Sequence, residues 1–172
     1  MREPNILKGM AAGALGGLVA SFAMNEFQKV WATAEEKLTD GRRRKGQKDN
    51  QYQGEEGEDA TMKTADRIAQ AVQGQHLTKA GKKKAGPAVH YAFGTIMGAI
   101  YGAAAEVAPA TKSLAGIPFG TVLFAAADEI ALPVLGLSKS PTEYPLSKHL
   151  YGLVSHAVYG VTTEAVRRAV RG

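Results

Sequence analysis

Two carboxylates and a histidine lie in stretches of the chain that are otherwise apolar, and their types could carry protons or bind an ion. Asp128 and Glu129 are the only charged residues between positions 113 and 138. His156 lies within residues 149–163, which hold no Asp, Glu, Lys or Arg. At a shared depth in a membrane, a carboxylate and an imidazole can relay protons or hold an ion. They can equally neutralise each other's burial and fix the register of a helix bundle, and the sequence leaves both interpretations open.

His90 and His149 form a second pair of residues that could act together. We expect both near the same end of two helices that run in the same direction, where two imidazoles could ligate haem b. A di-iron site would need Glu-x-x-His pairs on facing helices, and the sequence contains none. We therefore predict no cofactor and no metal, with haem b as the alternative.

Several well-known catalytic patterns are missing from the sequence. It contains no GxxxxGK[ST] phosphate loop, no GxGxxG fingerprint, no HExxH and no GxSxG. Because it also has no cysteine, a disulfide scaffold, a thiolate metal cluster and a cysteine nucleophile are excluded. We predict that the protein is not an enzyme and has no catalytic residue.

Four apolar stretches must position the ionisable residues. A bilayer core about 30 Å thick needs roughly 17–25 apolar residues in a helix. Residues 7–29, 88–108, 114–136 and 147–167 fit that length. A helix of a soluble bundle would show a polar face at every turn, whereas TIMGAIYGAAA and GIPFGTVLFAAA show none. We predict an all-α integral membrane bundle of four transmembrane helices, with a soluble four-helix bundle as the alternative.

Most of the charge is concentrated in one block. Residues 31–86 hold twelve of the 21 basic and nine of the 16 acidic residues. The block divides the chain into a first transmembrane helix at 1–30, a charged loop at 31–86 and a three-helix membrane region at 87–172. Apolar residues at helical spacing near 61–72 predict a short amphipathic helix within the loop. It could lie on the membrane surface or pack on the ends of the spans.

The distribution of basic residues predicts the orientation. Four spans put the long loop and residues 137–147 on one side of the membrane, with thirteen basic residues against five on the other. The positive-inside tendency therefore places the long loop in the cytoplasm. Because the block has a net charge of only +3, from twelve basic and nine acidic residues, we expect no nucleic-acid partner.

Glycines recur at four-residue steps in the predicted spans. Such spacing lines up residues without side chains on one side of a helix and allows helices to approach closely in lipid. We predict that these glycines form helix-packing surfaces: Gly9, Gly13, Gly17, Gly94, Gly98, Gly102, Gly116, Gly120, Gly152 and Gly160.

The second and fourth spans also resemble each other. Residues 94–106 align without a gap on residues 152–164, and five positions are identical. The aligned segments end in Glu106 and Glu164, at the same predicted depth. We expect both carboxylates to reach the headgroup region, with Glu164 beside Arg167.

Short motifs from the second span onward follow one another in a recognisable order. The first is His90, followed by Tyr-Gly-x-x-x-Glu-Val-x-Pro at 101–109 and a turn that contains Lys112. Next come a span that closes with Pro133, Gly136 and Leu137 and a connection that contains Pro141 and Pro145. His-Leu-Tyr-Gly follows at 149–152, and Glu-x-x-Arg-Arg follows at 164–168. In this order they resemble the YagU-like family of bacterial inner-membrane proteins, over roughly residues 88–168. The resemblance implies a multi-pass protein of the bacterial inner (cytoplasmic) membrane and implies no reaction.

The features together predict a small membrane protein with a structural or accessory role. Its partners would be the lipid bilayer and either further copies of itself or a larger membrane complex. The alternative is a proton or ion pathway through Asp128, Glu129 and His156.

Overall fold

A computed structural model describes residues 3–38 and 57–172, with the side chains of Glu36 and Leu38 excepted. Four continuous helices are α1 (Ile6–Leu38), α2 (Ala60–Gln73), α3 (Lys79–Val107) and α5 (Leu146–Arg171). Between α3 and α5 lies α4, which is α-helical over Ile117–Leu123, π-helical over Phe124–Ala131 and α-helical again over Leu132–Val134. The described residues contain no strand, so the predicted all-α class is confirmed. Most of the predicted charged loop, at 39–56, lies outside the described residues.

Helices α1, α3, α4 and α5 surround a small core. Helix α1 packs against α3 and α5, and α4 packs against α5. Ring contact between Tyr101 and Phe119, whose centroids are 4.5 Å apart, joins α3 to α4. The side chains that meet at the centre are few and mostly small or flexible: Ala20, Met24, Leu123 and Tyr159, flanked by Met97, Phe119 and Ala127.

Helices α1 and α3 are antiparallel and touch through glycine backbones. A Cβ atom added to Gly13 would lie 2.7 Å from the Cα atom of Gly102, and one added to Gly98 would lie 2.7 Å from the Cα atom of Gly17. Real Cβ atoms essentially never approach that closely. Only glycine therefore permits this separation between the two helices.

Helices α4 and α5 meet in the same manner. A Cβ atom on Gly120 would overlap the carbonyl oxygen of His156, and one on Gly116 would lie 3.0 Å from the carbonyl carbon of Gly160. Gly116 also has a φ of 85°, in the left-handed region that favours glycine. It is the last residue of the short 3₁₀ segment Pro109–Gly116 and directly precedes α4.

Helix bounds differ from the predicted spans mainly at one end of the bundle. Helix α1 continues nine residues beyond position 29, and α3 begins nine residues before position 88. Thr78 caps α3 by accepting a hydrogen bond from the Gly81 amide, which fixes its early start. By length and mean hydropathy, the segments Ile6–Glu35 and Pro109–Val134 could cross a membrane.

Helix α2 packs antiparallel against the early turns of α3. Met62 lies against Gly86, where an added Cβ would come within 2.9 Å of its side chain. Further along, the Lys82 ammonium lies 3.0 Å from Glu58 and 3.3 Å from Asp66. The helix predicted near 61–72 thus lies against the extension of α3.

The surroundings of Asp66 and Lys82 favour the charged form of each side chain. Burial opposes ionisation of Asp66, but hydrogen bonds from the Leu77 amide, His76 and Lys82 outweigh it and lower the pKa of the carboxyl overall. The hydrogen bond to Glu58 is the main reason that the pKa of Lys82 is raised. Each group thus favours the charge of the other at neutral pH.

We predict that Gly98→Ala destabilises the bundle by about 1–3 kcal/mol, the usual cost of overpacking a tight contact. The new methyl group would collide with the backbone of α1, which cannot move without shifting the whole helix. Gly81→Ala on the same helix is the matched control, because its Cβ would meet no atom closer than 3.4 Å. It should leave stability unchanged or raise it by up to about 1 kcal/mol. Thermal unfolding in detergent measures both, and equal stability of the two variants would contradict the prediction.

Candidate functional site

The π-helical segment of α4 carries both Asp128 and Glu129 and turns them towards α5. Each carboxylate meets a different histidine. Glu129 Oε1 lies 2.8 Å from His149 Nδ1, whereas Asp128 Oδ2 lies 3.6 Å from His156 Nδ1. The structure therefore divides the predicted cluster into two pairs, and it adds His149, which the sequence had suggested only as a haem ligand. Segments of π-helix are rare in proteins, and those that are found frequently lie at functional sites.

The Asp128–His156 pair is the more deeply buried of the two. Its side chains are 12% and 9% exposed, against 21% and 25% for Glu129 and His149. The His156 Nδ1 atom lies 2.9 Å from the Gly152 carbonyl oxygen, so this nitrogen carries a hydrogen and donates it. Because the distance to Asp128 exceeds hydrogen-bonding range, that contact is an attraction between charges when His156 is protonated.

Both ring nitrogens of His149 have partners. Nδ1 faces the Glu129 carboxylate, and Nε2 lies 3.0 Å from the Pro141 carbonyl oxygen. Since both partners are acceptors, the doubly protonated imidazolium satisfies both contacts at once. A haem iron would have to displace one of them before it could bind this residue.

His90 lies on α3, with its ring against that of Tyr91. Its buried Nε2 atom has no hydrogen-bond partner among the described residues, and the same is true of the buried Ser155 Oγ. Nearby, the Tyr159 hydroxyl donates a 2.6 Å hydrogen bond to the Gly94 carbonyl. Helices α3 and α5 run in the same direction, so His90 and Ser155 both lie about one turn before that bond. These two polar groups therefore share a depth in the bundle.

The largest polar cluster surrounds Glu164, which the sequence places beside Arg167. Glu164 is only 1% exposed. Its carboxylate accepts hydrogen bonds from Arg167 at 2.6 and 3.0 Å, from the Tyr101 hydroxyl at 2.9 Å and from Arg168. The Glu-x-x-Arg-Arg spacing places both arginines on the same side of the helix as the glutamate, and that pattern was the available signal.

Glu106 extends the cluster to a third helix. It accepts hydrogen bonds from Arg171 on α5 at 2.9 and 3.0 Å and from the Asn5 amide, immediately before α1, at 2.9 Å. Its side chain is buried. Close helix packing brings the ends of α1, α3 and α5 together around these carboxylates, which excludes solvent from them.

The predicted packing glycines fall into two groups by their contacts. Those on α1 and α3 face each other, and those on α4 and α5 do likewise: Gly9, Gly13 and Gly17 against Gly94, Gly98 and Gly102, then Gly116 and Gly120 against Gly160 and His156. Gly152 is buried, and its carbonyl bonds to His156.

The chain matches a protein-family model over more than half of its length. The family model described as "Protein of unknown function (DUF1440)" matches residues 63–165. The chain belongs to this family. The match spans both carboxylate–histidine pairs and Glu164 but excludes all of α1 and the three arginines at the end of α5. No curated protein and no solved structure matches the chain. Membership of DUF1440 identifies no reaction, and the resemblance to YagU-like proteins stays a prediction.

We predict that Glu164→Gln destabilises the protein by about 3–5 kcal/mol, because the buried Arg167 guanidinium loses its hydrogen-bonded counter-charge and keeps only Glu106, 4.0 Å away. Glu26→Gln removes an acid from an exposed pair with Lys29 and should cost less than about 1 kcal/mol. Thermal unfolding of the two variants in detergent measures the difference. Similar losses in both would show that the interior cluster contributes no more than a surface ion pair.

Proposed function

We propose that this DUF1440 protein is a small integral membrane protein in which α1, α3, α4 and α5 all cross the bilayer. The observation that carries the proposal is the distribution of residues on α5, which is polar inside and apolar outside. A helix of a water-soluble protein has the opposite arrangement. Its buried polar residues are Ser155, His156, Thr163, Glu164 and Arg167, and its exposed apolar residues are Leu146, Leu150, Val154, Val161 and Val170.

Helix α3 has a similar division. Its inner side consists largely of glycine and alanine, while Ile96 and Ile100 on the outside are 56% and 53% exposed. Large apolar side chains are exposed on α1 and α4 as well: Leu15, Leu18, Phe22, Ile117, Val122 and Ile130 among them. An apolar surface of this extent favours contact with lipid or a protein partner over contact with water.

Among the described residues, α3 and α5 are not among the segments apolar enough to cross a membrane by mean hydropathy, and their inward-facing residues explain why. Glycine, tyrosine and histidine lower the average of α3, and buried ionic groups lower that of α5. Hydropathy averages count these residues as though they faced lipid, whereas they face other helices. The outer faces therefore support four spans better than the averages do.

We further propose a structural or accessory role, as a homo-oligomer or as part of a larger membrane complex, without enzymatic activity. Support comes from the interior carboxylates, which lie against cationic or protonatable side chains of the same chain. The glycine contacts likewise join helices of one chain, so the apolar outer faces are the surfaces left for lipid or partners. The YagU-like resemblance and the excess of basic residues in the long loop suggest a bacterial inner membrane with that loop in the cytoplasm.

A proton or ion pathway is the second candidate. The π-helical segment favours it, because it sets two carboxylate–histidine pairs at successive depths along α5. The unpartnered Nε2 atom of His90 and Oγ atom of Ser155 add two groups that could exchange protons with water. His149 at the more exposed pair would form the entrance to such a path.

The number of spans can be tested with single cysteines, because the chain contains none of its own. We predict that Lys79→Cys and Lys139→Cys react with an impermeant maleimide from the same side of sealed membrane vesicles. Ser113→Cys should react only from the other side. If α1 and α4 alone crossed the bilayer, positions 79 and 113 would be labelled together and position 139 from the opposite side, and this result would refute four spans.

Proton flux distinguishes the two roles. In proteoliposomes with a pH gradient, the structural role predicts that wild-type protein leaks no faster than protein-free vesicles. A pathway predicts a flux that Asp128→Asn abolishes and Asp66→Asn, outside the spans, preserves. A flux with this dependence on Asp128 would overturn the structural proposal in favour of the second candidate.

A further inference from the structure

A groove of about 950 Å³ lies between the beginning of α1 and the end of α5. Its apolar lining consists of Ala11, Ala12, Leu15 and Val170. Lys8 and Arg171 lie at its polar end, together with Glu3, Pro4 and Asn5. One part of the groove is therefore apolar, and its other end carries cationic side chains.

Polarity changes along the groove in step with depth in the proposed bilayer. Lys8, Ala11, Ala12 and Leu15 follow at intervals of three and four residues, so they share one face of α1. The rise from Lys8 to Leu15 is about 10 Å at 1.5 Å per residue. Since α1 enters the membrane from its N-terminal end, the cationic end lies at headgroup level and the apolar end at the level of acyl chains.

Charges at this end of the bundle favour an anion. Arg171 is held at the groove by two hydrogen bonds to Glu106 and one to the Glu3 carbonyl oxygen, while Lys8 is exposed. The beginning of α1 adds the positive end of a helix dipole. Glu3 is the acidic residue of the lining and opposes them. Among the described residues here, five cations outnumber three acids: Lys8, Lys112, Arg167, Arg168 and Arg171 against Glu3, Glu106 and Glu164.

We propose that this groove binds an anionic glycerophospholipid. Its phosphate lies between Lys8 and Arg171, and one acyl chain lies along Ala11, Leu15 and Val170. The site depends on the proposed membrane location. A groove of this volume has room for a headgroup and part of one chain.

The probe is phosphatidylglycerol in vesicles that also contain phosphatidylcholine. After reconstitution and extraction in mild detergent, native mass spectrometry counts the lipids retained on each protein. We expect wild-type protein to retain phosphatidylglycerol selectively and Lys8→Gln to reduce retention about fivefold, the effect typical of one basic residue at a membrane surface. Glu3→Gln should increase retention, because it removes the opposing charge.

Two further variants separate the groove from general charge effects. Lys83→Gln makes the same charge change on the early part of α3, at the opposite end of the bundle, and should retain lipid as wild type does. Ala11→Leu fills the exposed apolar part of the groove without altering charge and should reduce retention as Lys8→Gln does. Equal retention by Lys8→Gln and wild type, equal losses in Lys8→Gln and Lys83→Gln, or equal retention of both lipids would overturn the proposal. Flotation with the vesicles after alkaline washing tests membrane insertion separately, so protein that inserts but retains no lipid refutes the groove alone.

Discussion

The close contact between α1 and α3 is the constraint on which the rest of the bundle depends. Glycine backbones of the two helices touch at three successive levels, and α5 packs against α1 beside them. Few side chains fit at the centre, and those that do must span the distance between helices. Tyr159 illustrates this, since its hydroxyl reaches the Gly94 carbonyl on α3. In lipid, where apolar side chains gain little by leaving the solvent, such close packing is a main source of attraction between helices.

Close packing also determines where charge can reside. Glu164 and Arg167 lie on the same helix and are both withdrawn from solvent, so each compensates for the burial of the other, and Glu106 lies 4.0 Å from Arg167 as a second acid. Their interaction offsets a desolvation cost that neither could bear alone. Removing the partner would therefore be more damaging than the modest value of a typical ion pair suggests. The arrangement links the α5 terminus to Tyr101 on α3, and the neighbouring Glu106 extends it to the start of α1.

Periodic features were predictable from the sequence, and local departures from periodicity were not. The four-residue glycine spacing and the common depth of Asp128 and His156 follow from regular helix geometry. The pairing of Glu129 with His149 depends on the π-helical segment, for which a hydrophobic pattern gives no signal. The burial of Glu164 depends on which helices surround it, and a count of positions from the span ends cannot provide that information.

The α1–α3 pair and the α4–α5 pair, each joined by glycine contacts, differ at one corresponding position. Gly98 on α3 and His156 on α5 correspond in the aligned segments, and each receives a glycine of the neighbouring helix, Gly13 in one case and Gly120 in the other. Between α1 and α3 the absence of a side chain leaves only backbone contact at this level. Between α4 and α5 the backbone contact is also present, and the His156 imidazole lies beside it, against Asp128 of the π-helical segment. A shared packing scheme therefore carries an ionisable pair in only one of the two helix pairs, which makes the α4–α5 pair the place where any chemistry beyond packing would arise.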